Sequence, residues 1–288
     1  MSTPKTWFIT GASSGFGMAF AEFALARGDN VVATARNVGK LEALVAQAPA
    51  RVLAQKLDVT KVADIGPAID AAVRRFGRID YLFNNSGYGI VGAVEETSDA
   101  ELRAVMDTNF FGAIAVTRAV LPVMRAQRSG AIVNISSMGG QMSFEGVGAY
   151  SASKFALEGM SEALALEAAP FGIKVLIVEP GAFRTEFGAG ALRFMPVSAA
   201  YKDVLGNVRD LMHGMDGAQP GDPAKAARAV VAALEADVTP LRLQLGADAI
   251  GAVRAHAERL LKDLAQWERV GTETAVVVGG GGAGHQFP

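Results

Sequence analysis

The chain of 288 residues contains no cysteine. That excludes disulfides, a thiolate nucleophile and any cysteine-based metal site, and it fits a reducing compartment. Histidine is nearly as scarce, with only His213, His256 and His285. Charge of either sign is also in short supply. Lysine plus arginine number 27 against 29 acidic residues, a formal net charge of −2. No basic surface is therefore available to attract nucleic acid or an anionic membrane. No uninterrupted apolar run approaches the ~18 residues of a membrane span. The longest, MAFAEFALA, carries Glu22 and reads as a buried helix. The opening residues MSTPKTWFIT lack the apolar core and cleavage site of a secretory signal. A cytoplasmic protein with no metal, nucleic-acid or membrane partner is expected.

What is present is an apolar half, 50% of the chain, enough for a sizeable core and too much for a disordered chain. Short β-branched runs alternate with longer helical patterns. TWFIT, NVVATA, RVLAQKLDV, IDYLFNNSG, GAIVNISS, IKVLIVEPG and LRLQLG read as seven strands. Helices are expected over Phe16–Arg27, Lys40–Gln47, Val62–Phe76, Asp99–Arg125 and Tyr150–Ala168. Strands apolar on both faces, separated by helices, mean an α/β fold. The expectation is a Rossmann-type doubly wound parallel sheet of about seven strands with helices on both faces. One domain spans 1–270. The segment Gly188–Pro220 breaks the alternation and reads as a substrate lid. Residues 271–288 read as a glycine-rich, mobile tail.

ITGASSGFG sets Gly11, Gly15 and Gly17 between the first strand and the first helix. Glycines there allow a backbone to approach a pyrophosphate, and the helix N-terminus offers free N–H groups and partial positive charge. The spacing differs from the common dinucleotide fingerprint, and a plain tight turn is the bland alternative. The second strand ends in Ala35-Arg36 where a carboxylate would hold a ribose hydroxyl. A guanidinium suits a 2′-phosphate instead, so NADP(H) is preferred over NAD(H). Arg36 could equally be a solvated loop arginine. Asp58, ending the third strand, either receives the adenine amino group or caps the next helix. Asn84 and Asn85 are either turn residues or cofactor contacts.

Tyr150 and Lys154 stand four residues apart, one turn of a helix. They read either as a surface pair or as a phenol tuned by an ammonium. Ser137 ends the fifth strand thirteen residues before Tyr150. It is a poor nucleophile candidate, because none of the three histidines lies in a strand-end loop of the first six strands and no G-x-S-x-G elbow occurs. Donating to a carbonyl oxygen suits it better.

Taken together, TGASSGFG, NNSG, NFFG, NISS, YSASK and PGAFRT resemble the short-chain dehydrogenase/reductases in their compact single-domain branch, in order and spacing over about Lys5–Phe187. The resemblance implies that Tyr150 is the general acid/base and that Lys154 lowers its pKa and holds the nicotinamide ribose. It implies that Ser137 binds the substrate oxygen, with Asn109 completing the set through a water linked to Lys154. It further implies cofactor contacts from Gly11, Ser13, Ser14, Gly15, Phe16 and Gly17, from Arg36 and Asp58, and from Asn85, Ser86 and Gly87. Pro180, Gly181, Phe183 and Thr185 would join Tyr150 and Lys154 on the nicotinamide side. An unperturbed phenol titrates near ~10, so a nearby cation is expected to ease its ionisation.

VVATARN, NNSGYGIVGAVEE and YSASKFALEGMSEALA are most similar to the branch of 17-beta-hydroxysteroid and retinol dehydrogenases. A hydrophobic ketone or secondary alcohol is the implied substrate. Its pocket would draw on Tyr88, Ile90, Val91, Met138, Met142, Phe144, Val147, Phe183, Phe187, Phe194 and Met195, each of which could equally be core. A homodimer or homotetramer through the helices Asp99–Arg125 and Tyr150–Ala168 is implied as well. Two alternatives are an NADP(H)-binding sensor or scaffold without turnover, and a sugar-nucleotide epimerase or dehydratase. The first would be expected to break the Ser-Tyr-Lys set, and the second to carry a larger C-terminal domain.

Overall fold

A computed structural model describes residues 3–276. In chain order the elements are β1 (Thr6–Ile9), α1 (Gly15–Ala26), β2 (Asn30–Ala35), α2 (Glu42–Gln47), β3 (Val52–Lys56), α3 (Val62–Phe76), β4 (Tyr81–Asn84) and β5 (Gly89–Val91). They continue as α4 (Asp99–Met106), α5 (Ala113–Gln127), β6 (Gly130–Ile135), α6 (Gly148–Ala168), β7 (Ile173–Pro180), α7 (Phe187–Gly190) and β8 (Leu192–Phe194). The last are α8 (Lys202–Gly214), α9 (Pro223–Glu235), β9 (Arg242–Leu245) and α10 (Ala247–Thr272).

Seven strands form one parallel sheet in the order β3-β2-β1-β4-β6-β7-β9. Successive residues of a strand point to opposite faces, and both faces are covered. Trp7 and Ile9 pack with Phe20, Ala24 and Val230 on the side of α1 and α9. Phe8 packs with Ile69, Val116 and Val120 on the side of α3 and α5. Burying a phenylalanine of this kind stabilises the fold by roughly 1.5–3 kcal/mol. A strand buried on both faces has no polar side, which is why these segments read as continuous apolar runs.

Several elements differ from the sequence expectation. The helix expected over Asp99–Arg125 is two helices joined by a π turn, Asp107–Gly112. A π turn is wider than an α turn and recurs where a side chain has a special task. Here it carries Asn109, which is 1% exposed. The same stretch is long and apolar enough to cross a membrane by composition, yet Val105, Val116, Val120 and Met124 are buried in the core. Lys40 belongs to a 3₁₀ turn, Val38–Leu41, and α2 starts only at Glu42. The segment expected as a lid holds β8, which pairs with β5 in a separate two-stranded sheet, and α8. A buried ion pair of Arg209 with Glu96 pins α8 to the body.

Besides α7 and α8, two further helices, α9 and α10, were not anticipated. Helix α9 has clear start signals, with Asp222 accepting from the N–H groups of Ala224 and Lys225 and Pro223 in the first turn. Helix α10 runs through Thr272, past the expected domain end at 270. From Ala257 onward all its residues are exposed, including Leu260, Leu261, Leu264 and Trp267. Most of the glycine-rich tail, 277–288, lies outside the described residues.

Candidate active site

Strands β1 and β4 are neighbours although β2 and β3 come between them in sequence. The chain leaves their carboxyl ends in opposite directions. The crevice this opens is where doubly wound sheets bind ligands.

The turn after β1 is built by close packing of main chain. Gly11 and Gly15 have φ of 65° and 53°, in the left-handed region. A Cβ on Gly17 would overlap the Gly11 carbonyl oxygen and sit 2.7 Å from Asn85 Nδ2. Asn85 Nδ2 donates to the carbonyls of Thr10 (3.0 Å) and Gly11 (3.1 Å), and the N–H groups of Asn85 and Ser86 donate to Thr10 Oγ1 at 2.9 and 3.1 Å. The loops after β1 and β4 are thereby stitched together. No acidic residue lies in the first turn of α1, and Ser14 makes no side-chain cap bond. Its positive end opens onto a cleft lined by Ser13, Ser14, Gly15, Arg184 and Thr185. The helix end itself suits a pyrophosphate, with free N–H groups and Arg184 near it, while Glu22, Glu186 and Asp216 line the outer part of the same cleft. Phe16 and Phe183 have ring centroids 5.1 Å apart, so their side chains are packing.

Arg36 is exposed at the end of β2, directly after buried Ala35. Asp58 acts locally: its Oδ1 accepts from Thr60 N at 3.1 Å and Thr60 Oγ1 at 2.8 Å. Partial burial opposes its charge, but the Thr60 hydrogen bonds and the charges of Lys61 and Arg36 hold the carboxyl below its ordinary value. The start of α3 is Lys61 rather than Asp58. Asn84 is structural, buried and donating to Thr117 Oγ1 (2.9 Å) and Asn134 Oδ1 (2.8 Å).

Beyond this turn the crevice is lined by side chains. Ser137 follows β6, and Tyr150 and Lys154 share one face of α6. The Ser137 hydroxyl accepts from Gly139 N at 3.0 Å, and a Cβ on Gly139 would lie 3.4 Å from Ser137 Oγ and 3.6 Å from Tyr150 Cε1, so the two side chains flank the same glycine. Lys154 is 5% exposed. Its Nζ donates to the Ile135 carbonyl at 2.8 Å and lies 5.7 Å from the Tyr150 ring centroid. Asn109 Oδ1 accepts from Tyr88 N (3.0 Å), and Nδ2 donates to the Tyr88 carbonyl (2.9 Å) and to Ser153 Oγ (3.0 Å). Ser153 in turn donates to the Tyr150 carbonyl at 2.7 Å. A Cβ on Gly87 would sit 3.1 Å from Asn109 Oδ1 and 3.6 Å from Lys154 Nζ.

Electrostatics at this end depart from the expected Lys154-lowered phenol. Burial pushes the Tyr150 phenol up to about 12, only partly offset by the Ser137 hydrogen bond. Burial likewise pulls Lys154 down to about 8, against the opposing charge of Glu158. At Lys154 desolvation dominates because the buried ammonium is turned to the Ile135 carbonyl, while the Tyr150 side chain is half-buried, with the Phe187 ring beside it.

The segment after β7 arches from this end back to the glycine turn. A Cβ on Gly181 would overlap the Asp248 carboxylate, and Asp248 Oδ2 accepts from Ala182 N at 2.7 Å. Pro180 ends β7. A Cβ on Gly15 would be 3.2 Å from Thr185 Cβ. Of the proposed pocket residues, Phe187 faces the chemistry, with its ring centroid 5.9 Å from that of Tyr150. Ile90 and Met195 are core, packed with Val105. Phe183 packs beside Phe16, and Phe194 stacks on His213.

Sequence reasoning missed Ser153, Asp248 and a buried group made by Glu158, Glu179 and Arg242. Only Glu158 carried a signal, standing four residues after Lys154 on the same helical face.

The short chain dehydrogenase family profile matches residues 5–193. An oxidoreductase of Botryotinia fuckeliana, BOA17, is 38% identical over 272 residues, covering 94% of this chain and 99% of its own. The 3-ketodihydrosphingosine reductase of Bacteroides thetaiotaomicron is 46% identical over 188 residues, 64% of this chain and 66% of its own. A crystal structure of a short-chain dehydrogenase from Streptomyces avermitilis superimposes with a TM-score of 0.90 at 51% identity, covering 95% of this chain and all of that one. Fold, glycine turn and relatives agree: the chain belongs to the short-chain dehydrogenase family of oxidoreductases.

Proposed function

We propose that the protein transfers a hydride between NADP(H) and a hydrophobic ketone or secondary alcohol, with Tyr150 as general acid/base. The observation that carries this reading is the meeting of Ser137, Tyr150 and Lys154 at the mouth of the crevice. The glycine turn would hold the pyrophosphate and Arg36 the 2′-phosphate. Gly87, Asn109 and Lys154 would flank the nicotinamide ribose, with Pro180, Gly181 and Thr185 beside the ring. The chemistry the cofactor supplies when bound is donation or acceptance of the hydride.

The residues of the chain would do the rest. Ser137 donates a hydrogen bond to the substrate oxygen and fixes its direction. Tyr150, protonated at neutral pH, gives its proton to that oxygen as negative charge develops on it. Lys154 stabilises the phenolate left behind, and the same steps reversed oxidise the alcohol. Phe187, Met142 and Val147 would exclude water above the phenol, and the insertion of β8 and α8 would serve as the lid. The Phe187 ring beside Tyr150 and a 3-ketodihydrosphingosine reductase among the relatives support a hydrophobic ketone. Exposed Phe111, Phe155 and Leu166 on the α4–α6 side support a homodimer or homotetramer. We assign its work to the cytoplasm.

The test is turnover of a panel of hydrophobic ketones with NADPH and with NADH, followed as absorbance loss for wild type and Tyr150→Phe. NADPH is expected to outperform NADH, and the variant to bind cofactor but turn over no ketone. Equal rates for variant and wild type would overturn the role of Tyr150, and faster NADH turnover the role of Arg36.

A further inference from the structure

Behind the serine loop lies a set of buried ionisable groups that the proposed reaction does not use. Glu158 sits on α6, one turn after Lys154 and two after Tyr150, and is 2% exposed. Its Oε1 accepts from Ser136 Oγ at 2.6 Å. Its Oε2 accepts from Gln141 Nε2 and, at 3.1 Å, from Arg242 Nε. Ser136 and Gln141 bracket the loop that carries Ser137. Between them, Gly140 has no room for a side chain, because a Cβ there would overlap Glu158 Oε1 and Ser136 Oγ. The loop is thus pressed onto this one carboxylate.

The far wall is Glu179, fully buried in β7 immediately before Pro180. It accepts from Gln244 Nε2 at 2.8 Å and Gln141 Nε2 at 3.2 Å, and it faces Arg242 Nε at 3.2 Å. Arg242, on β9, also reaches Glu162 at 2.7 Å. One guanidinium therefore serves two buried carboxylates. Burial and the neighbouring Glu158 charge raise Glu179 to about 7. The charged groups facing Glu158 are Lys154 and Glu162 of its own helix, Glu179 of β7 and Arg242 of β9. Of these, Lys154 is opposed by burial and favoured by the Glu158 charge.

We propose that Glu158 is a positioning residue of the reaction proposed above: its carboxylate fixes the Ser137 loop against the helix bearing Tyr150 and Lys154, one turn from the Lys154 ammonium. The inference rests on that reading for the roles of Ser137, Tyr150 and Lys154. A purely structural Glu158 would affect stability alone. A positioning Glu158 has two separable effects, one on loop geometry and one on the titration of Lys154.

The test compares Glu158→Gln, Glu158→Asp and Ser136→Ala in the full chain. Glu158→Gln is expected to lower kcat/KM between about tenfold and a hundredfold, to leave the NADPH Kd within about twofold, and to move the alkaline limb of kcat/KM to lower pH. Ser136→Ala is expected to lower kcat without moving that limb. Glu158→Asp, which keeps the charge, is expected to hold the limb at the wild-type pH and serves if the glutamine variant does not fold. NMR titration of Lys154, labelled at Nζ and assigned against Lys154→Arg, reads the charge effect without turnover. A Lys154 titration unchanged in Glu158→Gln, with rate loss tracking melting temperature, would overturn the inference. A shifted Lys154 titration in a protein that turns over no ketone would uphold the pairing and place the failure in the proposed reaction.

Discussion

The two ends of the crevice are built on different principles. At the glycine turn the contacts are main chain joined by one amide and one hydroxyl, with no buried titratable side chain among them. Gly17 is held by the Gly11 carbonyl and by Asn85 Nδ2. At the other end, Tyr150 and Lys154 are side chains whose proton affinities are moved by burial, with opposing contributions from Ser137 and from the Glu158 charge. A region made of backbone is sensitive to volume and indifferent to pH. A region made of ionisable side chains is the reverse. Substitutions at the first should therefore appear in cofactor affinity, and at the second in rate and pH dependence.

The largest effect should come from Tyr150→Phe, which removes the proposed proton donor and leaves the ring packed beside Phe187. A loss of about 10³-fold in kcat is expected, with NADPH affinity unchanged in a fluorescence titration. Gly17→Ala should do the opposite. Overpacking of this kind costs about 1–3 kcal/mol, and here it falls on the turn itself, so NADPH Kd should rise between about fivefold and a hundredfold while kcat at saturation stays near wild type.

Arg36→Ala sharpens the comparison, because Arg36 is a charged side chain at the otherwise backbone-built end. A charge-assisted hydrogen bond contributes about 1.5–3 kcal/mol. NADPH affinity should fall by about tenfold or more and NADH affinity should stay the same, by titration with each cofactor.

The pH dependence of stability follows from Lys154. Its folded value is about 8 against 10.5 for an ordinary lysine. Between those values the unfolded chain holds the proton more tightly, so stability rises with pH across the window. Below about pH 8 the buried charge is a full penalty. Relative to Lys154→Met, wild type should gain about 2 kcal/mol between pH 8 and pH 10, read by denaturant melts. Smallest of all should be Ser86→Ala. Only its N–H bonds Thr10, so cofactor affinity and stability should both stay within about 0.5 kcal/mol.

The same contrast accounts for what the sequence disclosed. The parallel sheet was legible because strands buried on both faces, such as TWFIT and NVVATA, have no polar alternation to confuse them. LRLQLG was correctly read as the last strand, β9. The glycine turn was legible because only glycine fits Gly11, Gly15 and Gly17. Ser137, Tyr150 and Lys154 stood at strand ends and one helical turn apart, so their meeting followed from topology.

The buried group behind them was not legible. Glu179 and Arg242 approach Glu158 only through the pairing of β7 with β9, a long-range contact with no local mark. Helix α10 was missed for another reason. Its alanine and charged residues give a weak stripe, and the described structure buries only Ala249. Lysine tuning of Tyr150 was expected from charge alone. Desolvation, which depends on what packs around the phenol, such as the Phe187 ring, could not be read from spacing.

The most direct test of the account measures kcat and NADPH Kd side by side for Tyr150→Phe and Gly17→Ala on one ketone substrate. The account predicts a crossed pattern, with Tyr150→Phe losing about 10³ in kcat at wild-type Kd and Gly17→Ala losing affinity at near wild-type kcat. A Tyr150→Phe variant that keeps a substantial fraction of wild-type kcat, or loses affinity in place of rate, would contradict it.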